Sequence, residues 1–187
     1  MNVQTKMPTT ADEFLRWNEG REGKWDFVEG RVVDMMVRVS RNHAIVAGRL
    51  ATIIGQSLTF PPYTVATADF GVKTATSVRY PDVVIDSAAG SASDLAAAAP
   101  IFVAEVLPPS TLAIDFNGKA AEYQTIETLR HYLILAQDTP RAWLWSKESA
   151  GWSKPVMLDG LDSELVLQGL GLTIRLVSIY AGLFEHR

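Results

Sequence analysis

The 187-residue chain has no cysteine, which excludes disulfides and thiolate metal sites. Histidine is almost as scarce: His43, His131 and His186 are too few for a histidine-rich metal centre. No apolar run approaches the roughly 20 residues that a bilayer-spanning helix needs. Met1 to Thr10 lack the basic-then-apolar build of a secretory signal, so a cytoplasmic location with no membrane partner is expected. Basic charge is also short, since 17 Lys and Arg against 21 Asp and Glu leave a net charge of -4. Dedicated nucleic-acid binders gather cations to displace counterions from phosphates. Any nucleic-acid chemistry here must therefore rest on local potential, and a bound divalent cation reverses the sign of an acidic pocket. Walker A, Gly-x-Ser-x-Gly and His-Glu-x-x-His motifs are absent.

What is present is an ordinary globular composition, 48% apolar and 20% charged, long enough to bury one core. Thr10 with Glu13 forms a capping box before a short helix whose apolar positions are Phe14, Leu15 and Trp17. Trp25 to Val28 and Arg31 to Val37 read as strands joined at Glu29-Gly30. Ile45, Val46, Leu50, Ile53, Ile54 and Leu58 recur at helical spacing until Pro61-Pro62. Strands are expected at Tyr63 to Ala66, Phe70 to Lys73, Tyr80 to Ile85 and Ile101 to Leu107. Between them, Asp86 to Pro100 is rich in alanine, serine and glycine and reads as a surface loop with a short helix near Asp94 to Ala98. A helix at Asp115 to Ile126, a strand pair at His131 to Ala136 and Arg141 to Ser146, strands at Leu165 to Leu167 and Leu172 to Leu176, and a short helix from Ser178 complete the chain. No internal repeat occurs, and the order of elements predicts a single α/β domain over residues 1–187 around one mixed sheet.

The two apolar strands Tyr80 to Ile85 and Ile101 to Leu107 each carry one carboxylate, Asp82 and Glu105, and Asp115-x3-Lys119-x3-Tyr123 follows. A charge inside an apolar strand is costly unless it is paired or bound to a metal. One reading is a site holding a divalent cation beside a phosphate. The plainer one pairs both acids with Lys or Arg and leaves Lys119 in an i,i+4 pair with Asp115, worth about 0.3–0.5 kcal/mol. His43 opens a helix, where it can contact a phosphate or donate to a carboxylate, although a lone histidine is more often structural. Tyr123, one turn beyond Lys119, can pack over the site or donate its hydroxyl, with core packing the first expectation. The tryptophans and Tyr132 read as core and edge-strand residues, not as a stacking platform for bases.

Several segments carry a family resemblance together: Trp25-Asp26-Phe27-Val28-Glu29-Gly30, His43 at a helix head, Tyr80-Pro81-Asp82-Val83-Val84, and Glu105-Val106-Leu107-Pro108-Pro109-Ser110-Thr111. Asp115, Lys119 and Tyr123 follow, then Leu129-Arg130-His131-Tyr132. Over nearly its whole length the chain resembles endonucleases of the "Uma two" type, within the PD-(D/E)XK nuclease superfamily. The resemblance implies a restriction-endonuclease-like fold, a mixed sheet flanked by helices with the site at the sheet's split edge. It implies that Asp82, Glu105 and the Val106 carbonyl hold Mg2+ or Mn2+, that Lys119 is catalytic, and that Asp26 is a third acid. His43, Asp115 and Tyr123 would surround them, and DNA would be the substrate. A homodimer would suit cutting both strands of a duplex. Two positions depart from the pattern. Leu107 stands where the superfamily's Glu-x-Lys has its lysine, a role the resemblance moves to Lys119, and Pro108 replaces a serine. The alternative from a different class is a nuclease-fold protein without catalysis, serving as a binding or interaction module.

Overall fold

The computed structural model describes residues 6–35, 39–87 and 90–184, without the side chains at 110–115 and 117. Helix α1 (Ala11–Asn18) is capped by Thr10, whose side chain accepts the Glu13 N–H at 3.2 Å. The return bond of the capping box goes one residue further back, from the Thr9 N–H to the Glu13 carboxylate at 2.8 Å. Strands β1 (Trp25–Val28) and β2 (Arg31–Asp34) form the expected hairpin. Its turn has positive φ at both Glu29 (47°) and Gly30 (81°), which matches the twist of the flanking strands. β2 stops at Asp34, short of Val37, and residues 36 and 37 lie outside the described residues.

Helix α2 (Arg41–Ser57) starts at the Ser40 cap and buries Val46, Leu50 and Ile54. Five strands follow: β3 (Thr64–Thr67), β4 (Val72–Lys73), β5 (Val78–Arg79), β6 (Val83–Asp86) and β7 (Pro100–Leu107). The expected continuous strand from Tyr80 to Ile85 is therefore broken. Tyr80-Pro81-Asp82 leads from β5 in one sheet to β6 in another, and Pro81 has no N–H to offer a ladder. The expected helix near Asp94 to Ala98 is also absent. Gly71 and Ala96 form a parallel bridge, and the Asp86 carboxylate accepts the N–H groups of Ala98 and Ala99 at 3.0 and 2.8 Å. Those external partners outcompete the intrinsic helix preference of alanine.

Helix α3 (Pro109–Tyr123) begins six residues before Asp115, because a proline at the first helical position loses no hydrogen bond and is preset in φ. It links β7 to its parallel neighbour β8 (His131–Ala136). The chain continues through β9 (Arg141–Glu148), β10 (Gly151–Trp152) and β11 (Val156–Asp159), the hairpin β12 (Glu164–Leu167) and β13 (Leu172–Arg175), and α4 (Leu176–Tyr180). The closing helix thus starts two residues earlier than Ser178. The main sheet has the order β10-β9-β8-β7-β6-β3 with β11 also on β9, and a smaller one runs β2-β1-β5-β4. Only β7 and β8 pair in parallel within the main sheet, so it is mixed, as expected.

Strand alternation divides the main sheet into two faces. Val83, Ile85, Phe102, Ala104, Val106, Leu133 and Leu135 pack against α2. Val84, Val103, Leu107, Tyr132 and Ile134 pack with Tyr123 of α3 and Trp145. Glu105 falls by parity on this second face. Among the described residues no helix is long and apolar enough to cross a membrane.

Candidate active site

Asp82 sits where the chain leaves one sheet for the other, before β6 takes up its register. Its Oδ2 accepts the Val106 N–H at 2.7 Å, and its Oδ1 lies 2.9 Å from His43 Nε2. His43 reaches it from the first turn of α2, where Ser40 caps the His43 N–H. Within a strand, a residue's N–H and C=O point to the same side. Ile101 and Leu107 give their carbonyls to the β8 side, accepting from Arg130 and Gln137. The Val106 carbonyl therefore faces the opposite side with its N–H, toward Asp82.

Glu105, next along β7, is buried beneath α3. Lys119 and Tyr123, four residues apart, share a helix face, and both donate to Glu105 Oε1, at 3.2 and 2.9 Å. Burial raises the Glu105 pKa, and the charge of Asp82 pushes the same way; Lys119 and Tyr123 oppose them. Tyr123 is pushed well above its ordinary value, by burial first and then by Glu105, so it remains a protonated donor. Asp115 lies outside the described side chains.

Asp26 on β1 lines the same cavity as Asp82, Glu105 and Lys119. It accepts from Arg79 Nη1 at 3.1 Å, while Arg79 Nη2 and Nε bond the Glu122 carboxylate at 2.7 Å and at 3.1–3.2 Å. Burial raises the Asp26 pKa despite Arg79. In Glu122 burial pulls upward too, but the bonds from Arg79 win and hold it below its ordinary value. Sequence reasoning passed over Arg79 and Glu122. The signal was available for Arg79, a charge between the apolar neighbours Val78 and Tyr80, as Asp82 is a charge beside Val83. Trp25 packs against the cluster of Phe14, Leu15, Phe27 and Val78, as expected of a core residue, and also lines the cavity.

The cavity encloses about 790 Å³. Asp82, Glu105 and the Val106 carbonyl supply hard oxygen donors at its floor. Among the described residues no group of three or more His, Cys, Asp or Glu forms a ready metal cage. Two carboxylates and a carbonyl do fit a cation that keeps several waters, which is the habit of Mg2+.

The Uma2 family model, described as "Putative restriction endonuclease", matches residues 11–176. Two relatives come from Synechocystis sp. "Uncharacterized protein slr1290" is 27% identical over 178 residues, 93% of this chain and 92% of that protein. "Uncharacterized protein sll1609" is 29% identical over 142 residues, 73% of this chain and 80% of that protein. A crystal structure of "a putative nuclease belonging to DUF820" from Anabaena variabilis superposes with a TM-score of 0.72 at 13% identity, covering 92% of this chain and 98% of its own. That likeness establishes a shared mixed α/β fold. With a match spanning nearly the whole chain, the protein belongs to the Uma2 family of putative restriction endonucleases.

Proposed function

We propose that this chain is a divalent-metal-dependent DNA endonuclease. Asp82, Glu105 and the Val106 carbonyl hold Mg2+ or Mn2+, and Lys119 meets the scissile phosphate. One observation carries the reading: two acids and a helix-borne amine, 23 and 14 residues apart in the chain, converge on one cavity floor, with Lys119 Nζ 3.2 Å from Glu105 Oε1. Bound Mg2+ or Mn2+ would polarise the phosphodiester and make a nucleophile usable near neutral pH.

The protein's own groups do the rest. The Val106 N–H and His43 fix the Asp82 carboxylate, and Tyr123 fixes Glu105. Lys119 offers its ammonium to the charge that develops on phosphate oxygens. Asp26, anchored by Arg79, contributes its charge from the cavity wall. In-line attack would leave a 5′-phosphate and a 3′-hydroxyl, as the superfamily resemblance implies.

Nicking of supercoiled plasmid with Mg2+ or Mn2+ tests this reading. Asp82→Ala and Lys119→Ala should each slow it by about 10²-fold or more. Cleavage untouched by either change would belong to a contaminant. A second reading, a nuclease fold without catalysis, draws support from Leu107 in the Glu-x-Lys position and from the protein's own bonds to both Asp82 oxygens. Calorimetric titration with Mn2+ separates the two. Heat that disappears in Asp82→Ala supports the metal site, and no heat in either protein supports the inactive fold.

A further inference from the structure

We propose that the outer edge of β11 pairs with the same edge of a second copy of this chain, about a two-fold axis through Met157. β11 closes one end of the main sheet on β9, and among the described residues no strand lies on its other side. An open sheet edge is a template for further pairing. This one carries Val156 and Met157, which point to opposite faces and are 56 and 57% exposed. Among the described residues no other two exposed large apolar side chains are adjacent in sequence. The Gly160 N–H donates to the Pro140 carbonyl at 2.9 Å, and the same register runs back through Leu158 with Ala142 and Val156 with Leu144. Bonding alternates along an antiparallel pair, so Val156 and Leu158 bond β9. Pro155, Met157 and Asp159 turn their backbone groups outward.

Those outward groups select their own complement. Pro155 has no N–H to give, and the Asp159 carbonyl already accepts the Ser163 hydroxyl at 2.7 Å. Left over are both groups of Met157, the Asp159 N–H and the Pro155 carbonyl. One antiparallel register uses them all. With Met157 opposite Met157 of the second copy, the two residues exchange both bonds, and each Asp159 N–H meets the opposing Pro155 carbonyl. The missing Pro155 N–H then falls opposite the engaged Asp159 carbonyl. A shift of two residues either way sets a Met157 group against the proline nitrogen or that engaged carbonyl. Side chains agree with the same register. Val156 meets Leu158 of the second copy, Lys154 stands opposite Gly160, and Asp159 is already paired with Arg141 at 2.9 Å. No like charges oppose each other. One patch used by both copies is an isologous interface, which closes at a dimer. None of residues 154–160 lines the cavity, so the inference goes beyond the nuclease reading and stands or falls apart from it.

Sedimentation equilibrium tests the pairing. The unaltered protein should show twice the mass of one chain. Met157→Lys and Met157→Glu each set like charges face to face across the axis, and each should raise the dissociation constant by about 100-fold or more. Mixed in equal amounts the two variants should pair again, because lysine then meets glutamate. That rescue belongs only to a residue lying on its own two-fold axis. Thermal melts establish that both variants fold, and Val156→Lys is measured beside them as a second way to weaken the edge. A monomer at every concentration overturns the inference, as does a dimer that survives all three changes. A lysine–glutamate mixture that stays monomeric overturns it too. If no variant folds, exchange of the Met157 amide hydrogen in the unaltered protein decides. It should quicken as dilution separates the copies, and equally fast exchange at every concentration overturns the inference. Plasmid nicking on the same preparations reads the nuclease proposal separately.

Discussion

Two charge clusters flank helix α3, each built from two acids and one strong base, and they are resolved in opposite ways. In one, Arg79 forks between Asp26 and Glu122 and bonds both. In the other, Lys119 bonds Glu105, while Asp82 is held by a backbone N–H and by His43. The outcome shows in the carboxylates. Burial pulls both Glu122 and Glu105 toward neutrality, but Arg79 brings Glu122 below its ordinary value, whereas Glu105 stays above. A guanidinium presents several donors in a fixed plane, and an ammonium is a compact charge on a flexible stem. The arginine cluster closes on itself. The lysine cluster keeps like charges close together at a cavity floor, the arrangement a cation would relieve.

The largest expected effect tests the closed cluster. Arg79→Ala leaves the buried Asp26 and the half-buried Glu122 carboxylates without their cation and should cost about 3–5 kcal/mol in urea unfolding. Arg79→Lys should fall between, because it keeps the charge but loses the fork. A loss below about 1 kcal/mol, the scale of an exposed pair, would erase the contrast between the clusters. Glu105→Gln should behave in the opposite sense. DNA cleavage should drop by about 10²–10³-fold, while stability holds or rises, since a buried like charge beside Asp82 is removed. Melting curves and plasmid nicking on one preparation check both halves.

Much of the open cluster was legible in the chain because its signals are local. Glu105 stands among apolar residues of β7, so strand parity sends it to one face, and Lys119 with Tyr123 share a helix face by spacing alone. The hairpin at Glu29-Gly30 and helix α2 followed from turn chemistry and periodicity for the same reason. The pairing within the closed cluster was not legible. Arg79 meets Glu122 across 43 residues and Asp26 across 53, and no local pattern encodes such a pairing. The segment Asp94 to Ala98 misled in a related way: its alanines favour a helix, but bonds to Gly71 and Asp86 hold it in a bent, non-helical course. The expected helix began only at Asp115, whereas α3 starts at Pro109, a first helical position where proline loses no hydrogen bond.

A smaller effect sharpens the role of Tyr123. Its hydroxyl is a buried donor on the buried Glu105 carboxylate, 2.9 Å away. Tyr123→Phe keeps the ring packing against Tyr132 and removes only that bond, worth about 1.5–3 kcal/mol when one partner is charged. Cleavage should weaken less than in Glu105→Gln, because the carboxylate remains and Lys119 still holds it. A Tyr123→Phe protein as inactive as Glu105→Gln would mean that the hydroxyl takes part in the chemistry directly.

The last test is acid titration of the closed cluster through Glu122. Its folded pKa is depressed from 4.5, so the unfolded chain takes up a proton more readily than the folded one. Linkage then makes the contribution of Glu122 fully present above pH 4.5 and progressively lost as pH falls through the lower folded value. Asp26 and Glu105, both raised, have the reverse sign: each binds its proton more tightly when folded, so acid favours the fold at those positions. Glu122→Gln should therefore lower stability at neutral pH and flatten its decline below pH 4.5, and urea midpoints across an acid series read both. If the two proteins lost stability in parallel below that pH, Arg79 would not be what holds Glu122 charged. The contrast between a closed arginine cluster and an open lysine one would then lose its electrostatic basis.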